Sequence, residues 1–207
     1  FGLQAGGSYE GIIIGDQYTG AITLTNNDMS GTITKGIEVD SGTATIIQSD
    51  IVSTGETGTG IRITGGIDHV IGTANVANRN TLNNLQFGLA LISVDTSSIS
   101  ATENKFLNSV NAIFNLTNTQ FTITNSYFGA ADGPQDDSGY GTVGAIVRAN
   151  TPDGINYSPF YTDSDMTTFD ARFIIKDNLD ASIGHASTYN QAISKITALA
   201  ESNPTKL

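Results

Sequence analysis

Residues 36–53 read GIEVDSGTATIIQSDIVS. Three short apolar-alternating runs, Ile37-Glu38-Val39, Ala44-Thr45-Ile46 and Asp50-Ile51, are separated by Ser41-Gly42 and by the polar pair Gln48-Ser49. Period-two runs bounded by Gly, Ser and Asp turns read as strands. Before the third run a polar pair and one further residue lead to a large apolar side chain.

The same sentence recurs along the chain. Its opening returns as Gly11-Ile12, Gly36-Ile37, Gly60-Ile61, Gly88-Leu89 and Ala112-Ile113. The steps between the second residues are 25, 24, 28 and 24. Its close returns as Asn26-Asn27-Asp28-Met29, Gln48-Ser49-Asp50-Ile51, Arg79-Asn80-Thr81-Leu82, Glu103-Asn104-Lys105-Phe106 and Asn125-Ser126-Tyr127-Phe128. One copy cannot bury its apolar face alone, whereas stacked copies share one core. Three strands in a coil of roughly 22–28 residues predict an all-β chain, a right-handed single-stranded parallel β-helix of five to six coils. The polar pair at a fixed bend predicts a ladder of Asn and Ser running from coil to coil. The stretch from Ile67 to Arg79 reads as an insertion in one long copy, and insertions in solenoids map to loops on one face.

Composition agrees and excludes several function classes. Only 14% of residues are charged, and 23 glycines punctuate the chain, as short strands and turns require. With 38% apolar residues a core is affordable. There is no cysteine, so no disulfide, thiolate metal site or cysteine nucleophile exists. The net charge of −11, without a basic stripe, argues against nucleic-acid binding. No apolar run is long enough to insert in a membrane as a helix.

At the end of the coils, NSYFGAADGP (125–134), GYGTVGAIV (139–147) and GINYSPFYTD (154–163) resemble the closing module of secreted right-handed parallel β-helix proteins of the pectate-lyase-like superfamily. The matching residues are Asn125, Tyr127, Phe128, Gly129, Gly133, Pro134, Gly139, Gly141, Tyr157, Pro159 and Phe160, with Ser126 interposed and no Trp in the aromatic slots. The resemblance implies an extracellular or cell-surface location. It does not imply one activity, since the superfamily holds enzymes and surface proteins alike. The coils with their closing module are expected over 1–169, and a linker with an amphipathic helix over 170–207. Apolar residues at Tyr189, Ala192, Ile193, Ile196, Leu199 and Ala200 follow the helical period, with Thr188 and Gln191 as a capping box and Asn203-Pro204 as a stop. Such a helix covers this stack or begins a following unit. The start at Phe1, in mid-pattern, reads as a piece cut from a longer precursor.

Candidate chemistry is sparse. Asp132, Asp136 and Asp137 lie in the Gly-rich DGPQDDSGYG and suit calcium, which takes oxygen ligands, although a solvated acidic turn explains them as well. Lyase chemistry would need a basic proton abstractor from Lys35, Arg62, Arg79, Lys105 or Arg148, and carboxylates from Glu38, Asp40, Asp50, Asp95 or Glu103. Arg79 and Glu103 occupy equivalent coil positions and are expected to be neighbours, the plain reading being a surface ion pair. Asp68-His69 offers an oriented base without a serine nucleophile motif, and a polar loop pair is the plainer reading. Asp163 with Asp165, or Glu38 with Asp40, forms a carboxylate pair of no specific spacing. Asn115-Leu116-Thr117 and Asn156-Tyr157-Ser158 match glycosylation sequons. The expected function is a non-enzymatic extracellular β-helix unit of a large surface, adhesive or filament-forming protein. Its partners would be copies of itself or neighbouring units of the same precursor. The alternative is a carbohydrate-active β-helix, a polysaccharide lyase or glycan-binding module.

Overall fold

The computed structural model describes residues 8–136, 144–151, 154–170, 173–176, 182–186 and 189–202. The chain winds as a parallel β-solenoid of about five turns, with three strands per turn on three sheets. The first sheet stacks Ser8–Ile14, the second half of the bent strand Asp28–Val39, Thr59–Ile63, Phe87–Leu91, Asn111–Asn115 and Ile146–Ala149. The second stacks Ala21–Thr25, Thr43–Ile47, Val70–Ile71, Ser100–Thr102, Phe121–Thr124 and Ile155–Asn156. The third runs from the first half of Asp28–Val39 through Asp50–Ser53, Asn80–Asn83, Asn104–Leu107 and Ser126–Tyr127 to Phe160–Tyr161.

Register places like on like. On the first sheet Ile12, Ile37, Ile61, Leu89, Ile113 and Val147 form one inward row. Leu24, Ile46, Ile71, Ala101 and Ile123 form another on the second sheet. Met29, Ile51, Leu82 and Phe106 line the third. Ile37, Ile61, Ile46, Leu82 and Phe106 are wholly buried, each contributing about 1.5–3 kcal/mol of apolar transfer.

The glycine echo and the apolar plug prove to be two halves of one contact. A Cβ on Gly36 would lie 2.8 Å from the Ile51 side chain and 2.6 Å from the Gly60 carbonyl oxygen. On Gly60 it would meet Leu82 at 2.9 Å and the Gly88 oxygen at 2.8 Å. Each plug therefore occupies the space that a side chain on its own coil's glycine would need.

The bend between the second and third sheets carries the expected ladder. Asn27 Nδ2 donates to Ser49 Oγ (3.1 Å), Asn80 Oδ1 accepts from the Ser49 amide (3.0 Å), and Asn80 Nδ2 donates to Asn104 Oδ1 (2.9 Å). Ser126 Oγ accepts from the Asn104 amide at 3.1 Å. The residue before each ladder position is left-handed at Asn26, Gln48, Glu103 and Asn125, with φ between 49 and 56°. In the long coil a 3₁₀ turn, Val76–Asn78, replaces that geometry, and Arg79 has φ −63°. The expected insertion at 67–79 is thus smaller than the sequence suggests, because Val70–Ile71 inside it is a regular rung of the second sheet.

Towards the closing module the core turns aromatic. Phe106 stacks on Phe128 (5.4 Å), which meets Tyr157 edge-on (5.9 Å). Phe160–Tyr161 then pairs antiparallel with Phe169–Asp170. A hairpin, Phe173–Lys176 with Ser182–Ala186, packs against the helix Tyr189–Ser202. Thr188, part of the expected capping box, lies outside the described residues.

Candidate functional site

The outer face of the first sheet gathers four of the charges named above, Lys35, Glu38, Arg62 and Arg148. Outward rows align Glu10, Lys35, Thr59 and Phe87, and beside them Ile13, Glu38, Arg62, Ala90, Phe114 and Arg148. Glu38 is buried at 4% exposure although it points outward, because Lys35 and Arg62 close over it. Lys35 Nζ lies 2.6 Å from Glu38 Oε2 and 3.5 Å from Glu10 Oε1, and Arg62 takes the other Glu38 oxygen. The hydrogen bond that Lys35 donates to Glu38 raises its ammonium above the ordinary pKa, ahead of the opposing effect of burial. A base raised this way is held protonated, the wrong direction for a proton abstractor at neutral pH. Next along the axis Phe87 stacks on Phe114, with ring centroids 4.9 Å apart. The sequence reading missed this pair. The two rings hold different places in the repeat, Phe87 just before Gly88 and Phe114 two residues after Ala112, so the echo did not mark them as a pair.

Arg79 and Glu103 are brought to one region of the bend, as expected, but form no simple surface pair. Glu103 is 3% exposed, and its Oε1 accepts from the hydroxyl of Tyr161 at 3.1 Å, a residue of the closing strand. Glu103 Oε2 and Arg79 Nη1 are both buried without a hydrogen-bond partner. Burial raises the Glu103 carboxyl above its usual range, against hydrogen bonds from Tyr161 and Asn125 and the charge of Arg79. Burial together with Glu103 pushes the Tyr161 hydroxyl up to about 12. Tyr127, Tyr161 and Met166 form a small second core over this bend, with Leu107 packed against it.

His69 is wholly buried. Its Nδ1 accepts from the Ala44 amide (3.2 Å), so Nε2 carries the proton and donates to the Gly65 carbonyl (2.9 Å). Both nitrogens are occupied, and burial lowers its pKa. The imidazole fastens the Gly65–Asp68 turn to the neighbouring coil, while Asp68 is exposed.

The remaining nominations scatter. Asp136 accepts from the Tyr157 hydroxyl at 2.8 Å. Asp132 lies in the preceding turn, and Asp137 is outside the described residues. Among the described residues no three His, Asp or Glu side chains converge as a metal site. Asp40 accepts from the Thr64 hydroxyl. The sequon residue Asn115 is fully buried, donating to the carbonyls of Thr119 (2.9 Å) and Gly154 (3.0 Å). In this fold it is a bend plug and is not accessible to a glycosylating enzyme.

Comparison of the chain with protein-family profiles, curated proteins and solved structures finds no match.

Proposed function

We propose that this chain is a non-enzymatic structural unit, an extracellular β-solenoid block of a surface, adhesive or filament-forming protein that associates end to end. One observation carries the reading. Among the described residues, the first-coil strands Ser8–Ile14 and Ala21–Thr25 each have a strand partner on one side only. Between Ser8–Ile14 and the first half of Asp28–Val39 lies a cavity of about 360 Å³ whose lining mixes Tyr9, Ile12, Met29 and Ile33 with Glu10 and Asp28. Unpaired parallel edges around an open apolar core are a template for association, and one that does not close on itself grows linearly. The polar side chains support the same reading, because Glu38, His69 and Asn115, and the ladder residues Asn80 and Asn104, are engaged in joining strands, coils and turns.

The test is sedimentation velocity and electron microscopy of the full chain over a range of concentrations. Growth of linear species is expected, and a monomer at every concentration defeats the reading. A second reading, glycan binding, draws on the Phe87–Phe114 stack with Arg62 and Arg148 in the same outer register. Aromatic faces beside planar guanidinium groups suit sugar rings. Incubation with pectin or alginate and calcium, followed by assay for unsaturated ends and for retained polymer, separates a lyase from a binder. A lyase signal would also end the non-enzymatic reading.

A further inference from the structure

We propose that a single buried water molecule binds between Arg79 Nη1 and Glu103 Oε2, completing a clasp that ties two neighbouring coils to the closing strand. Register sets the place. Asn80 and Asn104 are direct partners on the third sheet, as are Lys105 and Tyr127. Arg79, Glu103 and Asn125 therefore stand at one bend in three successive coils, with backbones about 4.8 Å apart from coil to coil. Glu103 and Asn125 are left-handed there, at φ 55° and 49°, whereas Arg79 is extended, at φ −63° and ψ 148°. The arginine side chain thus leaves its coil in a different direction from the two that follow it. Among the described residues no direct ion pair joins it to Glu103.

Two complementary polar atoms remain. Glu103 is 3% exposed; its Oε1 accepts from the Tyr161 hydroxyl, while Oε2 has no protein partner. The same holds for the buried Nη1 of Arg79. The guanidinium charge acts on both Glu103 and Tyr161, so it lies close to them. A donor and an acceptor that are near without touching are what one water bridges, its oxygen accepting from Nη1 and one of its hydrogens going to Oε2. Asn125, which hydrogen-bonds to Glu103, is a further polar neighbour, and buried waters typically make about three such bonds. Leaving either charged group without a partner would cost far more than holding a water there.

The cover is built as well. Tyr127, Tyr161 and Met166 close over the bend. The loop 162–168 holds Met166 in place by closing on itself, the Thr162 amide donating to the Thr168 carbonyl (2.8 Å) and the Thr168 amide to Asp163 (2.7 Å). A water beneath this cover extends the Tyr161–Glu103 bond into a chain that reaches the coil of Arg79.

A high-resolution crystal structure of the full chain, with hydrogen exchange in solution, tests the proposal. Density for one water within hydrogen-bond distance of Arg79 Nη1 and Glu103 Oε2 is expected. A direct Arg79–Glu103 ion pair, or a guanidinium turned to solvent, overturns it. So does anomalous density at this position in crystals grown with bromide, which would make the occupant an anion. In solution, Arg79→Met keeps the apolar stem and removes the donor. The backbone amides of Tyr127 and Tyr161 should then exchange about tenfold faster than in wild type, with those of Ile37 and Ile61 unchanged. No acceleration at the closing strand, or equal acceleration in both places, defeats the clasp.

Discussion

The two ends of the coil stack solve one problem differently. At the first coil the core is aliphatic, with Ile12, Ile22 and Met29 partly buried and two strand edges without a partner among the described residues. At the closing end Phe106, Phe121, Phe128, Tyr157 and Phe160 are fully buried. There the last strand of the third sheet pairs antiparallel with Phe169–Asp170. Reversing the strand direction ends parallel templating there, and large rings fill the core beneath it. Propagation and termination thus use different side chains. A sequence that repeats strictly could stack but could not stop.

The largest expected difference comes from truncating core side chains deep in the stack and in the first coil. Phe106→Ala should cost about 3–5 kcal/mol, since a buried ring leaves a cavity among rigid neighbours. Ile12→Ala at the open end should cost about 1 kcal/mol, because its side chain is already partly solvated. Urea unfolding of the two variants measures both. Equal losses would mean that the first coil is as well covered as the middle, and the contrast between the ends would collapse.

The bend ladder gives a smaller contrast of the same kind. Asn104 Nδ2 donates to the carbonyls of Ile71 (2.8 Å) and Thr102 (3.0 Å), while its Oδ1 accepts from Asn80. Asn104→Ala strands these buried groups, and about 1–3 kcal/mol should be lost. Asn27, in the first coil, makes the ladder contact to Ser49 and is partly solvated. Asn27→Ala is expected to stay within about 0.5 kcal/mol of wild type, as surface changes usually do. The same denaturation series reads both, and a costly Asn27→Ala would place a further partner on the first coil.

What the sequence disclosed follows from what repeats. The Gly-Ile echo, the apolar plugs and the Asn/Ser pairs are legible because translation by one coil imposes the same steric demand each time. Gly60 must lack a side chain for the reason that Gly36 must. Contacts made once leave no such trace. The Tyr161–Glu103 bond joins residues 58 apart, off the coil period, and nothing local marks it. His69 looked like a loop residue because its partners, the Ala44 amide and the Gly65 carbonyl, are backbone groups that every residue carries. The Ile67–Arg79 stretch read as one insertion because Val70–Ile71 is too short for its alternation to stand out. Asn115 matched a sequon by the same Asn-x-Thr geometry that lets its carbonyl oxygen accept from the Thr117 amide (3.0 Å) and hydroxyl (2.7 Å).

At the closing end, pH should act through Glu103. Its folded pKa lies above the unfolded value of 4.5, so the folded state holds the proton more tightly. The stability this contributes is complete below about pH 4.5 and is lost as pH rises through the folded pKa. Glu103→Gln keeps an acceptor for Tyr161 and should abolish that decline, which guanidinium midpoints at pH 4, 6 and 8 would follow. An unchanged slope in the variant would show that the closing strand is not held through this carboxyl.

The smallest effect is expected at His69, and its sign is opposite. Burial places its folded pKa below the unfolded 6.5, so the unfolded chain takes up the proton first. The neutral ring contributes stability that is present above about pH 6.5 and is lost as pH falls through the folded value. Protonation would put a hydrogen on Nδ1, where the Ala44 amide already donates. It would set two donors against each other, and the Gly65–Asp68 turn should loosen before the strands beside it. Hydrogen exchange at residues 65–69 between pH 7 and pH 5 would register this, with His69→Gln removing the dependence. If acid loosened the closing strand while this turn stayed protected, the histidine clasp would not be the weak point on the acid side.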